Sequence, residues 1–136
     1  MARVVALLLA PCIALATACT SPGPQGCGNG ERGMIAENLY FGTSAPGGRI
    51  SADDWRTFLD EVVTPRFPQG LSVWQASGQW KSAAGPILRE PSYVLNIVHE
   101  STAVADASVI AIMTAYKERF RQEAVLRVRS PACASF

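Results

Sequence analysis

The chain has a single histidine, His99, and its four cysteines show no C-x-x-C spacing. The ligand spacing therefore argues against a zinc site, and no metal or other cofactor is expected. There is no G-x-S-x-G elbow, no H-E-x-x-H and no phosphate-cradling glycine loop, so the common hydrolase and nucleotide-binding signatures are missing. Charge of one sign is missing too. Twelve Lys and Arg face eleven Asp and Glu, and a neutral protein lacks the basic surface from which nucleic-acid binding draws its affinity. Past residue 18 no apolar run is long enough to span a bilayer.

What is present first is a leader. MARVVALLLAPCIALATAC carries one charge, Arg3, ahead of an apolar run from Val4 to Ala18, the pattern of a secretory signal over residues 1–18. Its end has two readings. Ala16 and Ala18 fit ordinary signal cleavage, and Ala16-Thr17-Ala18-Cys19 fits a bacterial lipobox, in which Cys19 is lipidated. The lipoprotein reading is preferred because the Pro/Gly/Ser-rich stretch within residues 19–36 suits a tether that buries no core. The expected localisation is the bacterial cell envelope, membrane-anchored through the lipid or else periplasmic or secreted.

The remainder, residues 37–130 with a tail over 131–136, reads as one domain. Leu39 and Phe41 alternate with Asn38 and Tyr40, a strand with dissimilar faces. Ser51 with Asp54 forms a capping box for a helix whose Trp55, Phe58, Leu59 and Val62 share one side, and Thr64-Pro65 ends it. LSVWQASGQW, from Leu71 to Trp80, and YVLNIVH, from Tyr93, read as arms of a hairpin, the second interrupted by Pro91. Apolar residues on both faces of the second arm predict cover on both sides. A second helix is expected over about 103–123, with Val109, Ile112, Met113, Tyr116 and Phe120 buried, then a short strand over 125–129.

The order β-α-β-β-α-β predicts an α+β, ferredoxin-like domain with a four-stranded antiparallel sheet and two helices on one face. Right-handed crossovers place the last strand beside the first. That adjacency brings Cys27, just before the first strand, close to Cys133, just after the last, and predicts a disulfide in an oxidising compartment.

LYFG, DDWRTFLDEVVTPRFPQGLSVWQASGQW, LREPSYVLNIV and AIMTAYKERFRQEAVLRV together resemble the bacterial envelope family known as domain of unknown function 3574, with TPRFPQGL at Thr64 to Leu71 as signature. The resemblance spans Leu39 to Val128. It implies a small exported or lipid-anchored domain and no particular activity. Arg89-Glu90-Pro91 departs from the Arg-Glu-Arg type of stretch expected there.

Candidate binding residues are polar or aromatic groups that the fold does not demand: Arg66 between two prolines, Gln79 and Trp80 near the hairpin tip, Arg89 and Glu90 opposite them, and Tyr116, Arg119 and Glu123 on the second helix. Read as a site, they make a cleft with an arginine pair for a small anionic ligand, a carboxylate as acid or base, and an aromatic wall. Read structurally, Arg66, Gln122 and Glu123 tie a loop to a helix end. The structural reading is preferred, with Glu123 partly buried and partnered by Arg119 or Arg66. Trp55 and Trp74 are expected in core or interface, and His99 and the cluster Lys117, Arg119, Arg121, Arg127, Arg129 at the surface. Three functions stay open: a tethered binding or interaction module; a small cofactor-independent enzyme built as a dimeric α/β barrel, with a homodimer as partner; and an assembly factor for another envelope protein.

Overall fold

The computed structural model describes residues 26–136; the expected signal sequence, the expected lipidation site Cys19 and part of the expected linker lie outside them. The elements run β1 (Arg32–Gly42), a two-residue hairpin of β2 (Ser44–Ala45) and β3 (Gly48–Arg49), α1 (Ala52–Phe58) continued by a π-helical turn (Leu59–Val63), β4 (Ser72–Lys81), β5 (Ile87–His99), α2 (Ala103–Phe120) and β6 (Leu126–Ala134). The protein is mixed α+β. Its four-stranded sheet has the order β4-β5-β1-β6, antiparallel throughout.

The first helix begins as its sequence dictates. Ser51 accepts from the Asp54 N–H, while the Asp54 carboxylate accepts from the Ser51 hydroxyl at 2.6 Å and the Ser51 N–H at 3.1 Å; the hydroxyl bond first, and then the N–H bond, hold the Asp54 carboxyl below its usual range. Its end is less regular. Thr64 donates to Leu59 O, five residues back, in the turn just ahead of Pro65, which has no N–H to give.

Pro91 does not interrupt β5. Its carbonyl accepts from Thr43 N and Oγ1, and because it has no N–H to return, Thr43 O instead accepts from Ile50 N at 2.9 Å. The missing donor thus seats the residue that leads into α1. Pro131 sits on the outer strand β6 opposite Ile35, where an absent ladder donor is tolerated. Strand pairing reaches Arg32 and Ala134, beyond the residues the alternating patterns had marked.

Register assigns the faces. Leu39 pairs with Leu95 and Phe41 with Tyr93 on the side covered by the helices. There Phe41, Trp55, Phe58 and Tyr116 pack ring to ring, with Phe41 and Tyr116 centroids 4.6 Å apart and Trp55 stacked on Tyr93 at 4.5 Å. Met113 and Phe120 lie partly buried at the margin of this core. The expectation of cover on both faces of β5 is corrected: the described helices pack on one face only. Val94, on the other face, is buried by its cross-strand neighbours Tyr40 and Trp74.

Cys27 and Cys133 are joined by a disulfide, with Cα atoms 5.5 Å apart across 106 residues of chain. It staples the start of β1 to the end of β6. No helix among the described residues is long and apolar enough to cross a membrane.

Candidate functional site

The sheet face left uncovered by the described residues ends, beside the β4–β5 hairpin, in a cavity of about 200 Å³ lined by Tyr40, Gln79, Trp80, Glu90, Gln122 and Leu126, among others. Three of the expected binding residues, Gln79, Trp80 and Glu90, meet here. The hairpin accounts for this, because its register sets Gly78 opposite Glu90 and Trp80 opposite Leu88. A glycine at 78 leaves open the space above Glu90.

Glu90 is the chemical centre of the cavity. Its Oε2 accepts from the Ser44 N–H at 2.6 Å, a charge-assisted bond. Oε1 has no hydrogen-bond partner among the described residues. The Ser44 carbonyl in turn accepts from Gln122 Nε2 at 2.6 Å, so one residue's two backbone groups position two cavity side chains. No Lys or Arg lines the cavity, and its only formal charge is negative.

Tyr116 lies beneath this site and does not line it. Fully buried, it donates to Gly42 O at 2.8 Å. Burial first, and then the charge of Glu90 and the neighbouring Tyr93, push its hydroxyl above the usual tyrosine range. It therefore stays a donor and fixes the end of β1.

The remaining expected residues are placed elsewhere. Arg66 turns back to cap Val62 O at 2.7 Å, a cation on the carbonyl end of its own helix. Arg119 pairs with Glu61 at 2.8 Å and lies over the Phe58 ring. Glu123 is exposed and accepts from Ala83 N–H, which corrects the expectation of a partly buried carboxylate held by Arg119 or Arg66. Arg89 does not line the cavity; it pairs across the strands with Gln79 and lines a neighbouring shallow cleft with Ser77, Gln79, Glu90 and Pro91. The arginine pair expected to hold an anion is thus not assembled around the cavity.

A second polar cluster was not foreseen. Glu37 is fully buried on the helix side of β1 and accepts from Arg127 Nε at 2.8 Å and from Arg127 Nη2. Asp106 at the start of α2 accepts from both Arg127 Nη2, at 2.6 Å, and Arg129. The hydrogen bond from Arg127 holds the Asp106 carboxyl below its usual range, and the bonds to Glu37 raise the Arg127 guanidinium further above its own. His99, expected at the surface, is buried beside them, its Nε2 3.4 Å from Glu37 and its Nδ1 2.7 Å from Glu100 O. Two carboxylates offset two guanidiniums, and none of the cavities described opens onto Glu37. The cluster is a neutral internal brace that joins β1, β6 and α2. A sequence signal for it existed: Glu37 is in phase with Leu39 and Phe41, and Arg127 with Val125.

Residues 36–136 match the family described as Protein of unknown function (DUF3574). The chain belongs to this family. No curated protein matches it. Among solved structures it is similar to a phage SAM lyase in complex with S-methyl-5'-thioadenosine, at 15% identity and a TM-score of 0.58 over 82% of this chain and 95% of that one. The apo state of a phage SAM lyase is similar at 13% identity and a TM-score of 0.56, over 84% and 97%. At these identities the likeness is one of fold.

Proposed function

We propose that this DUF3574 member is an exported envelope module, tethered through Cys19, that binds a small ligand with a cationic or hydrogen-bond-donating group on a flat apolar body. The observation that carries the reading is Glu90: a part-buried carboxylate with one oxygen held by Ser44, in a cavity walled by Trp80, Tyr40 and Leu126 and lined by no cation. Such a carboxylate favours a positive partner, since charge is stronger where water is partly excluded. The aromatic walls favour a ring or a cation's apolar shell. The strand order supports a ferredoxin-like, split βαβ classification, and the disulfide is consistent with an exported protein.

A second reading, a cofactor-independent enzyme, is favoured by one finding: the similar phage protein is a lyase holding a nucleoside derivative. A single NMR titration of the protein separates the readings. Benzylammonium is expected to shift the Trp80 indole and the Ser44 and Glu90 amides, while benzoate leaves them in place, and Glu90→Gln is expected to abolish the shift. The same shifts with benzoate alone would return the anionic-ligand expectation. Shifts there with S-methyl-5'-thioadenosine would favour the enzyme.

A further inference from the structure

The uncovered face of the sheet is unusual in its charge. Register places every even-numbered residue of the four strands on it, and among these only Arg32, at one end, and Glu90, at the other, are charged. The strands' other charged residues, Arg127 and Arg129 among them, occupy odd positions. A sheet face in water normally shows the opposite pattern, with charge outward.

Across the middle of this face one apolar row crosses all four strands. Leu126 pairs with Tyr40, Tyr40 with Val94, and Val94 with Trp74. Their exposures are 59%, 37%, 1% and 47%, so Leu126, Tyr40 and Trp74 face solvent while Val94 is buried between the two rings. The next row is uncharged as well: Val128, Asn38, Asn96 and Ser72, with Asn96 Nδ2 donating to Asn38 Oδ1 at 2.9 Å. Asn38 and Asn96 satisfy part of each other's hydrogen bonding and do not need an outside partner for that contact.

We propose that this face is an interface between two copies of the chain, packed sheet to sheet. Charge selects the occupant. A face bare of charge over its centre repels nothing in a copy of itself, and a twofold axis crossing the strands keeps the two Arg32 ends apart and the two Glu90 ends apart, so no like charges meet. Area agrees. Four strands at about 4.8 Å spacing, over the eight β1–β5 pairs at about 3.4 Å each, cover roughly 500 Å² in plan. Two copies therefore bury about 1,000 Å² before side-chain relief is counted, the lower bound for a specific interface.

Pairing also completes the cavity. Tyr40 and Leu126 belong both to the apolar row and to the cavity wall, so the second copy lies across its mouth. At about 200 Å³ the cavity of one copy is smaller than the roughly 300 Å³ at which ligand sites begin, and a wall from the second copy enlarges it. This consequence rests on the ligand reading above, whereas the interface does not.

Native mass spectrometry of the full chain, released from detergent, counts the copies directly. Two copies are expected for the wild type, one for Trp74→Asp, and two for Trp74→Phe. Trp74 is exposed in the single chain, so the charge should leave folding intact, and circular dichroism checks this. A wild type that is monomeric at about 50 µM, a trimer, or a dimer that survives both Trp74→Asp and Val128→Asp overturns the proposal. A dimer that fails to take benzylammonium leaves the interface standing and removes only the ligand reading.

Discussion

Gly42 and Glu90 are fitted to each other: a Cβ on Gly42 would lie 2.5 Å from Glu90 Oε1. Because that oxygen ends a flexible side chain, Gly42→Ala is expected to swing the carboxylate off Ser44 and leave the fold in place. The loss of one charge-assisted hydrogen bond corresponds to about 1.5 to 3 kcal/mol, read by urea denaturation. The same variant should lose the benzylammonium shifts at Trp80. Retained shifts with an unchanged Ser44 amide would show that Glu90 does not depend on the glycine.

The brace around Glu37 carries a larger cost when broken. Glu37→Ala leaves the mostly buried Arg127 without its main partner, and removal of one member of a buried pair costs about 3 to 5 kcal/mol. Replacement of Glu37 and Arg127 together by apolar residues of similar volume should restore much of that loss. A single variant as stable as wild type would show that water reaches Arg127 readily.

Asp106 sets a dependence on acid. Its carboxyl titrates below the usual range because Arg127 donates to it, so the folded state binds its proton less readily than the unfolded state. The contribution is therefore complete above the unfolded value of about 3.9 and is lost as the pH falls below that value. Between pH 5 and 3 the stability of Asp106→Asn is expected to fall less steeply than that of the wild type. Parallel curves in pH-stepped denaturation would assign acid unfolding to other carboxylates.

The Cys27–Cys133 bridge spans 106 residues, and a loop near that length restrains the unfolded chain by about 4 to 5 kcal/mol in the chain-entropy model. Cys133→Ser is expected to lower the melting temperature and to speed amide exchange first at the Arg32 end of β1 and the Ala134 end of β6. Two free thiols in the unreduced wild-type protein would contradict the bridge.

Much of the fold was legible because its signals are local. The capping box of Ser51 and Asp54, the alternation around Leu39 and Phe41, and the helical spacing of Val109, Ile112 and Tyr116 each lie within a few residues, and each forms the element its pattern predicts. Pro91 was misleading, because its cost depends on whether the neighbouring strand needs its N–H, and Thr43 O is supplied by Ile50. The candidate site was legible in part. Gln79, Trp80 and Glu90 meet through a hairpin whose turn signal was visible. Arg66, Arg119 and Glu123 were misassigned because long polar side chains choose among several partners within reach, and Val62 O, Glu61 and Ala83 lie nearer.

By itself the sequence determined the helix starts, the phase of each strand and, through the right-handed order of elements, the adjacency of first and last strands that lets Cys27 meet Cys133. Periodicity and capping are properties of neighbouring residues. Tertiary structure alone decided that Glu37 joins Arg127 and Asp106, that His99 is buried, and that Tyr40, Trp80, Glu90 and Leu126 enclose one cavity. These contacts join residues tens of positions apart, where the choice of partner depends on register, distance and the exclusion of water.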